Sequence, residues 1–313
     1  MGDKTGIEWA DSTWNPITGC DKVSPGCDHC YAETFAERWR GTPGHYFENG
    51  FDVQLRPDKL DLPLRWTKPR RIFVNSMSDL FHDRVTDEFI ARVFAVMALA
   101  PQHTFQVLTK RHGRMRSLLN SDRFIEQFQE AWETTPGPDG PEAYAPPWPL
   151  PNVWLGVSAE DQKRADLRIP ALLDTPAAVR FVSAEPLLGP INLHTDPIEA
   201  GSPFWGSQLN WVIVGGESGP GARPMHPDWA RSMRDQCVAA AVPFLFKQWG
   251  EWAPVDRDEI TSKPTVTLAL DGQDTYYAHR NHADVATLAR VGKKRAGREL
   301  DGRTWDQYPE VVN

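Results

Sequence analysis

Apolar residues in this chain come in short bursts separated by longer stretches of helical periodicity. Six bursts stand out between residues 70 and 250: Arg71-Ile-Phe-Val-Asn75, Thr104-Phe-Gln-Val-Leu-Thr109, Val153-Trp-Leu-Gly-Val157, Val179-Arg-Phe-Val-Ser183, Trp211-Val-Ile-Val214 and Pro243-Phe-Leu-Phe-Lys247. Each is mostly apolar instead of alternating, the pattern of a strand buried on both faces of a parallel sheet. Between them, Phe89, Val93, Val96 and Met97 share a helical face over 87–100, and Pro101 ends that helix. Further helices are predicted near 113–133, 161–174 and 227–241. The last opens at Pro227-Asp228 and carries Trp229, Met233 and Cys237 at four-residue spacing, which places Cys237 in the core. A seventh strand is predicted ahead of these, around Gly6-Ile-Glu-Trp9.

This βα rhythm predicts an α/β fold, a partial or complete (βα) TIM-like barrel of parallel strands over 1–250. Two stretches interrupt it as surface insertions, one over 134–151 with seven prolines and one over 194–210. Residues 251–313 read as a C-terminal α+β extension packed on the barrel. Its predicted hairpin runs from Thr265-Val-Thr-Leu-Ala-Leu270 through Asp271-Gly272 to Tyr276-Tyr277.

With 313 residues, 40% hydrophobic and 24% charged, the chain can bury a sizeable core. A net charge of -8 argues against bulk electrostatic coating of nucleic acid. Two basic clusters remain, Lys110, Arg111, Arg114 and Arg116, and Lys293, Lys294, Arg295 and Arg298; each alone reads as a solvated face. No apolar run has the length of a membrane span and Met-Gly-Asp-Lys-Thr lacks a secretory core, so a cytoplasmic protein without membrane contact is expected.

Active sites of parallel α/β folds form where strands end. Here the exits read Asn75, Ser76, Ser78 and Asp79; Thr109, Lys110 and Arg111; Ser158, Glu160 and Asp161; Ser183 and Glu185; Glu217 and Ser218; Lys247 and Gln248. Val157-Ser-Ala-Glu160 and Val182-Ser-Ala-Glu185 are near copies, so adjacent strands would set two hydroxyls and two carboxylates side by side. Taken singly, Tyr31, Trp39, Trp249 and Trp252 read as ordinary aromatic packing.

Three of the four cysteines fall within eleven residues, in Asn15-Pro-Ile-Thr-Gly-Cys20-Asp-Lys-Val-Ser-Pro-Gly-Cys27-Asp-His-Cys30-Tyr-Ala. This suits a metal centre in a reducing compartment better than a disulfide framework. Three thiolates on a 4Fe-4S cubane leave one iron open, as cofactor or substrate coordination requires. Zinc is the alternative, with His29 or His45 to complete a closed site.

With this loop and the strands after it, the chain resembles the radical S-adenosylmethionine superfamily, in which three close cysteines follow the first strand of a βα barrel. The spacing Cys-x6-Cys-x2-Cys departs from that superfamily's Cys-x3-Cys-x-aromatic-Cys, and His29 stands at the aromatic position. Asn75-Ser-Met-Ser78 occupies the place of its Gly-Gly-Glu segment, whereas Gly215-Gly-Glu217 falls after the fifth of the six runs. The Asn-Pro-x-x-Gly-Cys opening, Cys-Tyr-Ala closing and Thr109-Lys110 are similar to the spore photoproduct lyase branch, which repairs a DNA photolesion. Over nearly the whole length the chain resembles a phage-associated family of three-Cys-motif proteins, sometimes encoded beside a dedicated partner. The segments Thr13-Trp-Asn-Pro16, Ser183-Ala-Glu-Pro-Leu187, Gly215-Gly-Glu-Ser-Gly219, Lys247-Gln-Trp-Gly250, Gly292-Lys-Lys294 and Asp301-Gly-Arg303 carry that likeness.

The resemblance implies a 5'-deoxyadenosyl radical made from S-adenosylmethionine for hydrogen abstraction on a nucleic acid or nucleotide, in lesion repair or modification. Cys20, Cys27 and Cys30 would hold iron. His29, Tyr31, Ser76, Ser78, Ser158, Glu160, Ser183, Glu185 and Glu217 would line the cofactor, and Lys110, Lys247 and Gln248 would meet the substrate. An electron donor such as flavodoxin or ferredoxin would be needed. The alternative is a non-catalytic, metal-stabilised binding module acting with a partner protein.

Overall fold

The computed structural model describes residues 5–136, 145–194, 205, 208–255, 263–272 and 285–310. Their contacts gather into two units: 1–23, 30–157 and 171–180 in the first, 24–29, 158–170 and 181–313 in the second. The extension after residue 250 therefore clusters with the later strands.

In chain order the first unit contains β1 (Ser12–Trp14), β2 (Ile17–Thr18), α1 (Tyr31–Glu37), β3 (Gln54–Leu55), β4 (Arg71–Val74), α2 (Asp87–Ala98), β5 (Thr104–Thr109), α3 (His112–Leu119), α4 (Asp122–Thr134) and β6 (Val153–Ser158). Then come α5 (Gln162–Leu173), β7 (Val179–Ala184), β8 (Trp211–Gly215), α6 (Pro227–Ala239), β9 (Phe244–Gln248), β10 (Trp252–Pro254), β11 (Thr265–Ala269), β12 (Val285–Arg290), α7 (Lys293–Ala296), β13 (Glu299–Leu300) and β14 (Arg303–Thr304). Seven strands make one sheet in the order β1-β4-β5-β6-β7-β8-β9, and the sheet β10-β12-β11 is antiparallel. The fold is α/β, with the sequential parallel order of a partial βα barrel and a C-terminal α+β extension. Among the described residues, no helix is long and apolar enough to cross a membrane.

The six apolar runs are strands to within one residue of their expected ends, because continuous burial leaves little freedom in placing them. The seventh strand is corrected: it is Ser12–Trp14, parallel to β4, whereas Trp9 lies in a turn. Trp9 mimicked a strand because it is buried against Phe73, ring centroids 4.5 Å apart. The helix expected over 113–133 is two helices, broken at Asn120, whose side chain bonds back to Arg116 O at 2.8 Å. In the extension β11 pairs with β12, while Tyr276-Tyr277, expected as the second strand of the hairpin, lie outside the described residues. So do 137–144 within the first insertion and most of the second.

Registers align the strand exits. Trp14 faces Val74, and Thr109 faces Val157; in the second unit Ala184 faces Val214, and Gly215 faces Gln248. Buried indoles fasten the extension to the second unit's strands and helices. Trp211 donates to Gln307 O at 2.8 Å, Trp249 to Glu299 O at 2.8 Å and Trp229 to Leu270 O at 2.7 Å, since a buried N–H needs an acceptor. The tail also covers the β9 edge through Phe246 N–H to Trp305 O at 3.0 Å.

Candidate functional site

In the first unit the exits of β1 and β4 are joined by neutral groups. Asn15 Oδ1 accepts from Met77 N at 2.9 Å and from Ser76 Oγ at 3.3 Å. Ser78 Oγ donates to Ile17 O at 2.8 Å and accepts from Asn75 Nδ2 at 2.6 Å. Gly19 N–H donates to Met77 O at 3.0 Å, so the 76–78 bend is stitched to the segment leading into Cys20. Gly19 has φ +85°, and a Cβ there would lie 2.2 Å from Asp52 O, so only glycine lets the backbones pass. Cys30 is the N-cap of α1, and Thr34 N–H donates to its carbonyl at 3.0 Å. Tyr31 Oη donates to Ser76 O at 2.5 Å, yet the residue is 56% exposed. Tyr31 is therefore not ordinary core packing.

At the β5 exit, buried Asp79 accepts from Thr109 Oγ1 at 2.7 Å and from Lys110 N at 3.0 Å. This fixes the Lys110 backbone, while its ammonium has no ion-pair partner among the described residues.

The second unit treats its exits differently, because carboxylates there are matched by cations. Glu160, fully buried, accepts from Arg168 Nη1 at 2.9 Å and from Gly26 N at 3.2 Å. Glu217 accepts from Arg223 Nη2 at 2.6 Å, and its Oε2 stands 3.1 Å from His29 Nδ1. Arg223 also donates to Pro25 O at 2.8 Å and to Asp28 Oδ2 at 3.2 Å. Four contacts thus grip the short turn that carries Cys27. Burial raises the Glu217 pKa, but the Arg223 and His29 bonds outweigh it and hold the carboxyl below its ordinary value.

Glu185 makes the third pair, 2.9 Å from Lys247 Nζ; it also accepts from Ser183 Oγ at 3.1 Å, while Ser158 Oγ donates to its main-chain oxygen at 3.1 Å. The structure therefore brings together Ser158, Ser183, Glu185 and Lys247. Gln248 donates to Gly216 O at 3.1 Å, and its Oε1 is buried with no hydrogen-bond partner among the described residues.

A model of the family described as Protein of unknown function (DUF5131) matches residues 4–309. The chain belongs to that family. No curated protein and no solved structure matches it.

In this DUF5131 chain all four cysteines are free thiols; Cys20, Cys27 and Cys30 are partly exposed, whereas Cys237 is buried in α6 and desolvation pushes its pKa well up. Cys20 and Cys30 cluster with the first unit and Cys27 with the second. Among the described residues no group of three or more His, Cys, Asp or Glu stands closely enough to hold a metal ion. In the sequence Asp79 has only a place among the strand exits and Asn15 only a place in the thiol motif, and neither Arg223 nor Arg168 is singled out. Arg223 had one visible signal, a lone cation shortly after the glycine-rich 215–219 segment.

Proposed function

We propose that the chain is an iron–sulfur enzyme of the radical S-adenosylmethionine type, with Cys20, Cys27 and Cys30 ligating a 4Fe-4S cluster. One observation carries this: three free, partly exposed thiols lie in the connection that leaves the first strand of a parallel sheet and closes on α1, with six parallel strands following. A single zinc ion needs its sulfurs about 2.3 Å from one point. Three thiolates would suit a 4Fe-4S cluster, which then keeps one iron open to a cofactor.

When bound, the cluster supplies one electron to the sulfonium. The chain's own groups position and desolvate. Glu160 and Arg223 hold the Cys27 turn, and Ser76 and Ser78 hold the segment before Cys20. Gln248 Oε1 accepts a hydrogen bond from the bound molecule. The Glu185–Lys247 pair and Lys110 offer charge to a nucleic-acid or nucleotide substrate. An electron carrier of the flavodoxin or ferredoxin kind completes the cycle.

Anaerobic reconstitution with iron and sulfide, then reductant and S-adenosylmethionine, tests this. The expected result is about four irons per chain and formation of 5'-deoxyadenosine; iron uptake without 5'-deoxyadenosine would leave a cluster but no radical enzyme.

A second reading, a binding module that acts through a partner protein, has its own observation. Tyr31 and Phe35 stand one turn apart on α1 and Trp39 lies just past its end, and the three are 56%, 45% and 38% exposed. Exposed aromatic patches of this kind mark contact surfaces. An intact cluster with no cleavage of S-adenosylmethionine would favour it.

A further inference from the structure

Two surfaces of the second unit meet at the start of β11, and their chemistries are complementary. The first is a cleft of about 870 Å³ beside the Cys27 turn, lined among others by Arg223, Asp161, Trp229, Trp252, Thr265 and Thr267. Its size is that of a small-molecule site. Trp252 Nε1 donates to Ala222 O at 2.7 Å, so its half-buried ring offers carbon surface, whereas Trp229 is buried in the cleft wall with its N–H on Leu270 O at 2.7 Å. Thr265 and Thr267 alternate along β11 and place two hydroxyls on one face.

The cleft carries little net charge. Arg223 is matched by Glu217 and Asp28, and Asp161 by Arg164 at 3.1 Å. Such a lining rejects a phosphate and suits a flat, uncharged ring with a polar edge.

The second surface is an open groove of about 750 Å³ lined by Lys263, Val291, Gly292, Lys293, Lys294 and Arg295. Among the described residues Lys263, Lys294 and Arg295 form no ion pair, and residues 293–295 are exposed. In a chain of net charge -8 this is a local reversal of sign. Gly292, at φ +87°, turns the chain so that these cations come directly after the end of β12. Lys263 stands two residues before Thr265, within about 7 Å along an extended chain, so groove and cleft share one edge.

We propose that the C-terminal sheet is a binding surface for single-stranded nucleic acid, receiving a base against Trp252 in the cleft and phosphates on the Lys263–Arg295 groove. A neutral flat ring joined to a polyanion is the ligand that fits both surfaces at once. An acidic peptide fits only the groove, and a free nucleoside only the cleft. The proposal deepens the enzyme reading by naming its substrate class, and rests on that reading only for the chemistry after binding.

The test is fluorescence anisotropy of a labelled oligothymidylate of roughly twelve nucleotides with the full chain across a salt series. Four phosphate contacts predict a log–log salt slope of about -3. Changing Lys263, Lys293, Lys294 and Arg295 together to Gln should weaken binding at least ~10-fold and flatten the slope. Thr265→Val with Thr267→Val should weaken binding several-fold and leave the slope unchanged. An abasic oligonucleotide should bind more weakly than oligothymidylate.

Equal binding of the abasic strand, full displacement by polyglutamate at matched charge, or wild-type affinity in the quadruple variant would overturn the proposal. A circular-dichroism melt of each variant identifies any that fails to fold, and the abasic strand tests the unaltered chain. Iron content and 5'-deoxyadenosine formation are measured on the same preparations. Strand binding without iron counts against the enzyme reading alone, and iron chemistry without strand binding counts against this proposal alone.

Discussion

The strand exits of the two units perform similar mechanical tasks with different chemistry. In the first, the backbone leading to Cys20 is held by amides and hydroxyls: Asn15, Asn75, Ser76 and Ser78. In the second, the turn carrying Cys27 is held by charges: Glu160 with Arg168, and Glu217 with Arg223. Neutral hydrogen bonds contribute about 1 kcal/mol each and depend little on pH. Buried ion pairs add little net stability over an apolar core, yet losing one partner is severe because a charge is stranded. The segment before Cys20 is thus held by neutral bonds, and the turn carrying Cys27 by charges whose loss is costly.

The sharpest way to break this contrast is Arg168→Ala, which takes the closer of two arginines from Glu160 at zero exposure and leaves it Arg164 at 3.8 Å. We expect a loss of about 3–5 kcal/mol in denaturant unfolding, with Glu160→Gln in the same chain restoring part of it. A loss under about 1 kcal/mol would show that Glu160 is not buried as an anion. Next comes Arg223→Ala, which removes the donor to Pro25 O, Asp28 and Glu217. The guanidinium is part-exposed, so solvent screening limits the expected loss to about 1–2 kcal/mol, accompanied by faster iron release from reconstituted protein. Unchanged iron retention would remove Arg223 from the set that positions Cys27.

Acid titration is next in size. Because the Glu217 pKa is held below its unfolded value, its contribution is full above about pH 4.5 and is lost as pH falls through the folded pKa. Glu217→Gln should flatten the acid limb of a stability–pH profile, and an unchanged limb would argue against the Arg223 clamp. The smallest effect is expected from Ser78→Ala, about 1 kcal/mol and independent of pH between 5 and 8; a pH-dependent loss would contradict the neutral character of the first unit's exits.

These partners also mark how far the sequence can be read. Runs such as Trp211-Val-Ile-Val214 were legible because burial on both faces writes itself into consecutive residues. The break at Asn120 was not, since Leu118, Leu119 and Phe124 keep an apolar rhythm across it. The thiol loop was legible from spacing alone, and so was the burial of Cys237 from its four-residue rhythm with Trp229 and Met233. The grip on that loop was not legible. Arg223 meets Pro25 across nearly two hundred residues of chain, and Gly26 meets Glu160 across more than one hundred. Glu160 and Glu217 are expected beside a cofactor because they come after strands; their arginine partners are set by tertiary folding alone. The α+β character of the extension was legible, but the partner of β11 depends on a strand pairing that no local pattern encodes.

The most direct measurement of the central claim is iron content after anaerobic reconstitution of four single variants, Cys20→Ala, Cys27→Ala, Cys30→Ala and Cys237→Ala. The three loop variants should each retain less than about half the wild-type iron, because three thiolates hold the cluster together, while Cys237→Ala retains all of it. Wild-type iron in any loop variant, or equal loss in all four, would contradict a centre held by Cys20, Cys27 and Cys30.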